Sequence, residues 1–450
     1  MQLHLKDVLS ALLILCCATT QVVHAQDRQP TGVVFENVRI FDGTSDRLSA
    51  PSNVLVVGNV IKTIASTPIA TPPATSVTRI QGGGRTLMPG LIDAHTHIML
   101  ATVPQQVVLT SDPSFISIAA TKAASDMLMR GFTSIRDLGG PVFGLKRGID
   151  MGLVVGPRIW PAGAMISQTG GHGDFRLPNE LLAPPGNFSF NERIGIAAIA
   201  DSADSVRQRV RGQLALGASQ IKLMAGGGVA SNYDPLDVTQ FTMPELHAAV
   251  EAAENWGTYV TVHAYTPRAV RQALDAGVKC IEHGHLLDEA TAKLIAEKGV
   301  WWSLQPFTDD EPSPYPEGSP NRVKQLQMFS GTDTAYGLAK KFKIKTAWGT
   351  DILFNAEKAA RQGKQLAKMV RWYKPSEALK MATADNAVLL ALSGPRSPYA
   401  GKLGVVQEGA LADLLLVDGN PLESIKLVEN PAKTFLVIMK DGKIYKNILQ

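Results

Sequence analysis

Short apolar runs recur along the middle of the chain, each bounded by turn residues and followed by a stretch with apolar positions at helical spacing. LIDAHTHIML, TSIRDLG, RIWPAGAMI, QIKLMAG, YVTVHAY, KCIEHGH, VWWSLQP and IKTAWGTD read as strands. Helical patterns separate them, PSFISIAATKAASDMLMRG, DSVRQRVRGQLALG, TMPELHAAVEAAENWG, PRAVRQALDAG and DEATAKLIAEKG among them, several closed by a glycine able to take the left-handed cap conformation. Eight such β-then-α units in succession predict an α/β fold, a (β/α)8 TIM-like barrel over residues 87–398, with its functional groups on the loops at the carboxyl ends of the strands.

The two ends of the chain have a different texture. GVVFENVRIFDG and NVLVVGNVIKTIAS alternate apolar and polar residues around Gly and Asn turns, and ALADLLLVDG and TFLVIMKDGKIY repeat that pattern near the other end. Neither arm has enough strands to bury a face alone, so segments 26–86 and 399–450 are expected to form one small β-sandwich between them.

Residues 1–25 hold an apolar stretch too brief to span a membrane comfortably, ending in Val23-His24-Ala25 with the small-residue spacing of a signal-peptidase site. The expectation is a cleaved signal peptide and a periplasmic or secreted protein with no membrane span. A lipid anchor at Cys16 or Cys17 is disfavoured by Leu15, which stands where a small residue is needed. Cleavage leaves Cys280 as the remaining cysteine, which rules out an internal disulfide, and its apolar strand context suggests a buried, inert thiol.

The formal charge of +4 is small for 450 residues, and no basic block or stripe with interleaved aromatics occurs, so nucleic acid is not indicated as a partner. The chemistry lies elsewhere. In Asp93-Ala94-His95-Thr96-His97, side chains i and i+2 leave a strand in the same direction, so His95 and His97 project together from its carboxyl end as a metal grip. Two histidines alone are weak evidence. Lys222, His263, His283, His285 and Asp351, however, all fall at or near the ends of other strands. They share one structural address.

Taken together, PGLIDAHTH, the strand-four Lys222, His263, His283, the Gly349-Thr350-Asp351 triplet and the closing Glu408-Gly409-Ala410-Leu411-Ala412-Asp413 resemble the amidohydrolase superfamily. The likeness is to its binuclear-zinc branch of Xaa-Pro dipeptidases and related carboxypeptidases, and to secreted bacterial amidohydrolases that hydrolyse ochratoxin. That resemblance implies two Zn²⁺ per subunit, with His95, His97 and Asp351 at the more buried ion and His263 and His283 at the other. Lys222, carboxylated on its amine, and a hydroxide would bridge them. The chemistry is coherent, because an ammonium cannot bind a cation whereas a carbamate supplies anionic oxygens, and imidazole with carboxylate suits zinc. Two metals about 3.5 to 4 Å apart activate water near neutral pH and polarise a carbonyl, with Asp351 moving the proton to the departing amine.

The resemblance also implies catalytic and substrate-binding roles for His172 in the loop SQTGGHGD, at the scissile carbonyl, and a substrate contact for Tyr265. His285 is expected beside the ligands and within reach of substrate. Arg136 is left open between a substrate carboxylate and a structural ion pair with Asp137 or another acid. Of Trp301 and Trp302, alternation lets one point inward and supply apolar surface for an acyl group. The Pro- and Asn-rich stretch FRLPNELLAPPGNFSFNERIG is expected to fold over the site.

The expected activity is hydrolysis of an amide bond that releases a carboxyl-terminal amino acid from a dipeptide or N-acyl amino acid, ochratoxin A cleavage to ochratoxin alpha and phenylalanine included. The partner is thus a small molecule or dipeptide, and the resemblance implies a homo-oligomer, an octamer being the form it suggests. The alternatives are a mononuclear deaminase or imidazolonepropionase-like ring hydrolase, which Lys222 argues against; a lactonase, which the same metal pair would serve; and a silent barrel, which the filled ligand positions disfavour.

Overall fold

The computed structural model describes residues 31–70, 76–181 and 187–449. The expected signal peptide over 1–25 lies outside the described residues. Strands β1 (Thr31–Ile40), β2 (Ser52–Val57), β3 (Val60–Ala65), β4 (Ser76–Gln81) and β5 (Thr86–Pro89) come first. Then follow β6 (Leu91–Thr96), β7 (Phe132–Asp137), β8 (Arg158–Pro161), β9 (Met165–Ser167), β10 (Ala197–Ile199), β11 (Ile221–Met224), β12 (Val260–Ala264), β13 (Cys280–His283), β14 (Trp301–Leu304) and β15 (Thr346–Trp348). The last strands are β16 (Leu414–Val417), β17 (Phe435–Lys440) and β18 (Lys443–Asn447).

The two ends of the chain share one eight-stranded sheet in the order β18-β17-β16-β5-β1-β2-β3, with β4 paired to β1. The join is antiparallel between β5 and β16, where Met88 faces Leu415. Val33, Phe35, Val54, Leu87, Leu416 and Val437 bury a common apolar core there. An alternating strand buries one face only against such a partner.

The middle of the chain forms parallel ladders, β10-β9-β11-β12-β13-β14-β15 and β6-β7-β8. Helices Pro113–Met129, Ala203–Ala215, Met243–Glu254, Pro267–Asp275 and Glu289–Glu297 lie between successive strands. Their starts are fixed locally: Asp112 accepts from the backbone of Ser114 and Phe115, and Ser202 forms a capping box with Ser205. The run RIWPAGAMI, expected as one strand, is two. The chain turns at Gly163, with φ of +79°, where an added Cβ would lie 2.2 Å from Oε1 of Gln213. The short strand β10 is a further addition to the expected set.

Where the ladders end, side chains and single backbone bonds take over. Ser219 N donates to Pro161 O at 2.7 Å, connecting β8 with the approach to β11. At the other end Asn386 donates to both Ile92 O and Trp348 O at 2.8 Å, and Asp351 N donates to His95 O at 2.8 Å, so the end of β15 lies against β6. Along β11 the alternation is decisive: Ile221 and Leu223 enter the large apolar core, while Lys222 lines the central cavity. Among the described residues, no helix is long and apolar enough to cross a membrane.

Candidate metal centre and active-site cavity

At the carboxyl ends of the parallel strands lies a cavity of about 420 Å³ lined by His95, His97, Lys222, His263, His283 and Asp351. Six side chains expected at one address thus meet there. His95 Nε2 and His97 Nε2 each lie 3.2 Å from Asp351 Oδ1, and His283 Nε2 is 4.0 Å from Asp351 Oδ2. His95, His97 and Asp351 offer ligand atoms close enough together to hold one metal ion.

The four imidazoles are held in one manner. His95 Nδ1 lies 2.9 Å from Glu282 Oε2, His97 Nδ1 lies 3.1 Å from Gly139 O, His263 Nε2 lies 3.0 Å from Gly227 O, and His283 Nδ1 lies 2.7 Å from Gln305 Oε1. Each acceptor obliges that nitrogen to carry the proton and leaves the other ring nitrogen a lone pair, the arrangement found around metal-binding histidines. Burial holds His97, His263 and His283 below their ordinary range and so keeps those rings neutral. Burial pushes Asp351 upward, but His95 and His97 outweigh it and keep the carboxylate ionised.

Lys222 is buried, and its Nζ lies 3.5 Å from His95 Nε2. Burial lowers its pKa, and no carboxylate comes within ion-pair distance among the described residues. A lysine in that position is out of place as an ammonium. As a carbamate it would complete a donor set of imidazoles and carboxylates, so the residues fit a metal pair.

Backbone conformations at the site are unusual. His283 has φ of +72° and Asp351 φ of +48°, a region costly for residues with side chains, and such strain concentrates at functional sites. The first is held by Trp302, whose indole Nε1–H donates to His283 O at 2.7 Å. The second follows Gly349, where an added Cβ would come within 2.6 Å of His95 N. Thr350 then donates to the buried Asp93 through both its amide, at 3.0 Å, and its hydroxyl, at 2.6 Å. Asp93 of DAHTH therefore fastens β6 to the segment after β15.

His172 and Tyr265 also line the cavity. The His172 ring stacks on His263 at 4.0 Å, with Nδ1 2.7 Å from Ser231 Oγ and 3.5 Å from Asp234 Oδ2. Tyr265 packs edge-on to His263 at 5.0 Å, and burial raises its phenol well above the ordinary range, so it stays a neutral donor.

The remaining residues take positions that are partly expected and partly not. His285 is not among the cavity-lining residues; it packs against Phe307 and its Nε2 lies 2.9 Å from Gln305 O. Arg136 is fully buried beneath the cavity and pairs with Glu282 at 2.6 Å, so of its two expected roles the structural one holds, with Glu282 rather than Asp137 as partner. Neither Trp301 nor Trp302 lines the cavity: alternation sends Trp301 among Ala94, Tyr259 and Cys280, and Trp302 into the outer core. Cys280 is buried and its thiol is pushed up to about 12 by burial, which makes it unreactive. Of the stretch expected to cover the site, Phe175 reaches the cavity, and residues 182–186 lie outside the described residues. Most of the cover comes instead from the segment after β14, with Phe307, Pro312, Tyr315, Met328 and Phe329 on the wall. Its Pro-rich sequence EPSPYPEGSP was the signal that could have marked a functional loop.

Parallel strands that gather histidines and an acid at their carboxyl edge are the architecture of metal-assisted hydrolases. The family model for the amidohydrolase family matches residues 86–446, and the chain belongs to that family. It is 34% identical over 373 residues to ochratoxinase from Aspergillus niger, covering 80% of this chain and 75% of that protein. It is similar to a solved prolidase complexed with N-methylphosphonate-L-proline, with 34% identity, a TM-score of 0.84 and coverage of 92% of this chain and 100% of the other. A Xaa-Pro dipeptidase with bound methionine is 27% identical, with a TM-score of 0.78 over 92% of this chain and 100% of the other.

Proposed function

We propose that this protein is an exported binuclear zinc amidohydrolase, built on a closed (β/α)8 barrel, that cleaves an amide bond to release a carboxyl-terminal amino acid from dipeptides or N-acyl amino acids. The observation that carries this reading is the convergence on one cavity of four imidazoles, each held at one ring nitrogen, with Asp351 and a buried Lys222 that meets no carboxylate among the described residues. The resemblance of the chain to ochratoxinase and to Xaa-Pro dipeptidase structures supports the amide and the released amino acid. His95, His97 and Asp351 would hold one ion, His263 and His283 the other, with carboxylated Lys222 between them. When bound, the ions supply a lowered pKa for water and polarisation of the substrate carbonyl.

The chain's own groups do the rest. Asp351 has one oxygen, Oδ1, 3.2 Å from both His95 and His97 and a second, Oδ2, 4.0 Å from His283, which is the one left to take a proton from the attacking water and pass it to the leaving nitrogen. Ser231 Oγ, 2.7 Å from Nδ1, fixes the His172 ring; in the tautomer where that hydroxyl donates to Nδ1 the ring proton sits on Nε2, which would donate to the carbonyl oxygen as negative charge develops there. Tyr265 presents a neutral hydroxyl to the released portion. The wall of Phe307, Tyr315 and Phe329 excludes water and favours an apolar side chain.

The test is metal content per chain of the purified protein, alongside hydrolysis of a panel of dipeptides and N-acyl amino acids that includes ochratoxin A. Two zinc equivalents with amide cleavage are expected. One equivalent with ring deamination, or lactone cleavage in place of amide cleavage, would replace this reading with one of its alternatives.

A further inference from the structure

Outside the metal-binding cluster, one lysine of the cavity has no partner among the described residues. Lys358 lines the same cavity as the metal-binding cluster, in the short helix Ala356–Ala360. Its position is fixed rather than loose. Asn355 caps the helix by accepting from Lys358 N at 2.8 Å, while Phe354 N and Asn355 N donate to Leu100 O at 3.1 Å and Ala101 O at 2.9 Å. The side chain therefore departs from a segment anchored to the backbone beyond His97.

The surrounding charges do not neutralise it. Glu311 lies 3.2 Å from Lys364 and 3.4 Å from Lys368, and accepts from Gln365 at 3.0 Å. Asp310 lies 2.7 Å from Lys368. Asp351 is turned to His95 and His97. Two acids thus meet two lysines at the cavity mouth, and Lys358 is the surplus. Its Nζ makes no hydrogen bond or ion pair among the described residues and lies 5.7 Å from the Phe307 ring centroid. Burial lowers its pKa from the ordinary lysine value against the opposing pull of Glu311, in keeping with an ammonium that loses hydration and gains no direct contact in return. A partly desolvated cation facing a cavity with an aromatic wall is suited to an anion that brings apolar surface with it.

Accepting the proposed amide-hydrolysing site, we propose that Lys358 is the carboxylate-binding residue of the cavity: it takes the free α-carboxylate of the amino acid to be released, while Phe307, Tyr315, Phe354 and Leu353 receive an apolar side chain. The substrate class is then narrowed to acyl amino acids and dipeptides with an unblocked carboxyl terminus. Esters and amides of the same compounds lack the anion and lose this contact.

The test separates binding from turnover. Calorimetry would compare N-acetyl-L-phenylalanine with N-acetyl-L-phenylalaninamide on the metal-loaded wild-type protein, Lys358→Met and Lys358→Arg. The wild type is expected to favour the acid by tenfold or more, as a charge-assisted contact implies, Lys358→Met to bring the two ligands within about twofold, and Lys358→Arg to keep most of the preference. An acid preference that survives in Lys358→Met, or is missing from the wild type, overturns the assignment. Thermal melting and metal content of Lys358→Met should match wild type, the position being a partly exposed helical one. Hydrolysis of the panel scores the amidase reading separately: absent cleavage with an intact, Lys358-dependent acid preference would remove that reaction and keep the anion site.

Discussion

Glu282 Oε2 lies 2.9 Å from Nδ1 of His95, while the other oxygen of the same carboxylate meets the Arg136 guanidinium at 2.6 Å. All three groups are buried. Burial pushes Glu282 upward, but Arg136 and His95 outweigh it and hold the carboxyl well below the usual carboxylate range. The pair therefore does two things: it compensates the buried guanidinium and sets the tautomer that leaves His95 Nε2 aimed at the cavity.

Glu282→Gln should damage both. Removing one member of a buried ion pair leaves an uncompensated charge, with an expected loss of about 3 to 5 kcal/mol in stability, and metal affinity should drop about 10- to 100-fold. Denaturant unfolding and metal titration would measure these, and wild-type values for both would contradict the role given to Glu282.

Asp351→Asn preserves size and one carbonyl oxygen but removes the proposed proton carrier. The variant should fold normally and lose turnover by at least about 10²-fold, in line with the contribution of general acid–base groups. Retained activity toward the best substrate would show that the proton travels elsewhere.

Lys222→Ala removes the proposed bridging group and opens space beside His95. Metal content should fall and activity disappear, with partial recovery on adding formate or acetate, whose oxygens replace those of the carbamate. If the variant keeps its metals and its rate without any added acid, Lys222 is structural.

Gly349→Ala tests the closeness of the two strand ends. An alanine Cβ would stand 2.6 Å from His95 N, a backbone atom that cannot swing away. The expected cost is about 1 to 3 kcal/mol, with weaker metal binding because His95 moves with its backbone. Unchanged melting and metal affinity would mean that the strand ends separate more easily than this packing suggests.

Chelation provides a test without mutation. A ligand that binds only the folded state raises stability as its concentration exceeds its dissociation constant, by about 4 kcal/mol at a thousandfold excess. Stripping metal should therefore lower the melting temperature, and re-adding Zn²⁺ should restore it. A melting curve indifferent to chelator would leave the histidine cluster without an ion to hold.

The strands and helices of the middle of the chain were readable because period-two and helical patterns are local. His95 on β6 and His97, one residue past its end, share a direction for the same reason: positions two apart along an extended segment need no tertiary knowledge. The split of RIWPAGAMI into β8 and β9 was not readable, since it depends on Phe143 and Gln213 occupying the space beside Gly163. Arg136 shows the same limit. Its burial in an apolar strand implied a partner, but Asp137 adjoins it in sequence and points the other way, whereas Glu282 meets it across the strands.

What the sequence by itself determined is therefore the order of elements, the inward-facing side chains at the strand ends, and the chemical character of the cluster they form. What only the tertiary structure decided is which groups face them: Glu282 behind His95, Gln305 behind His283, Trp302 beneath the His283 carbonyl, and the segment from Phe307 to Phe329 with Lys358 around the cavity. The physical reason is that periodicity fixes the direction of a side chain relative to its own backbone, while its partner is set by the packing of segments far apart in the chain.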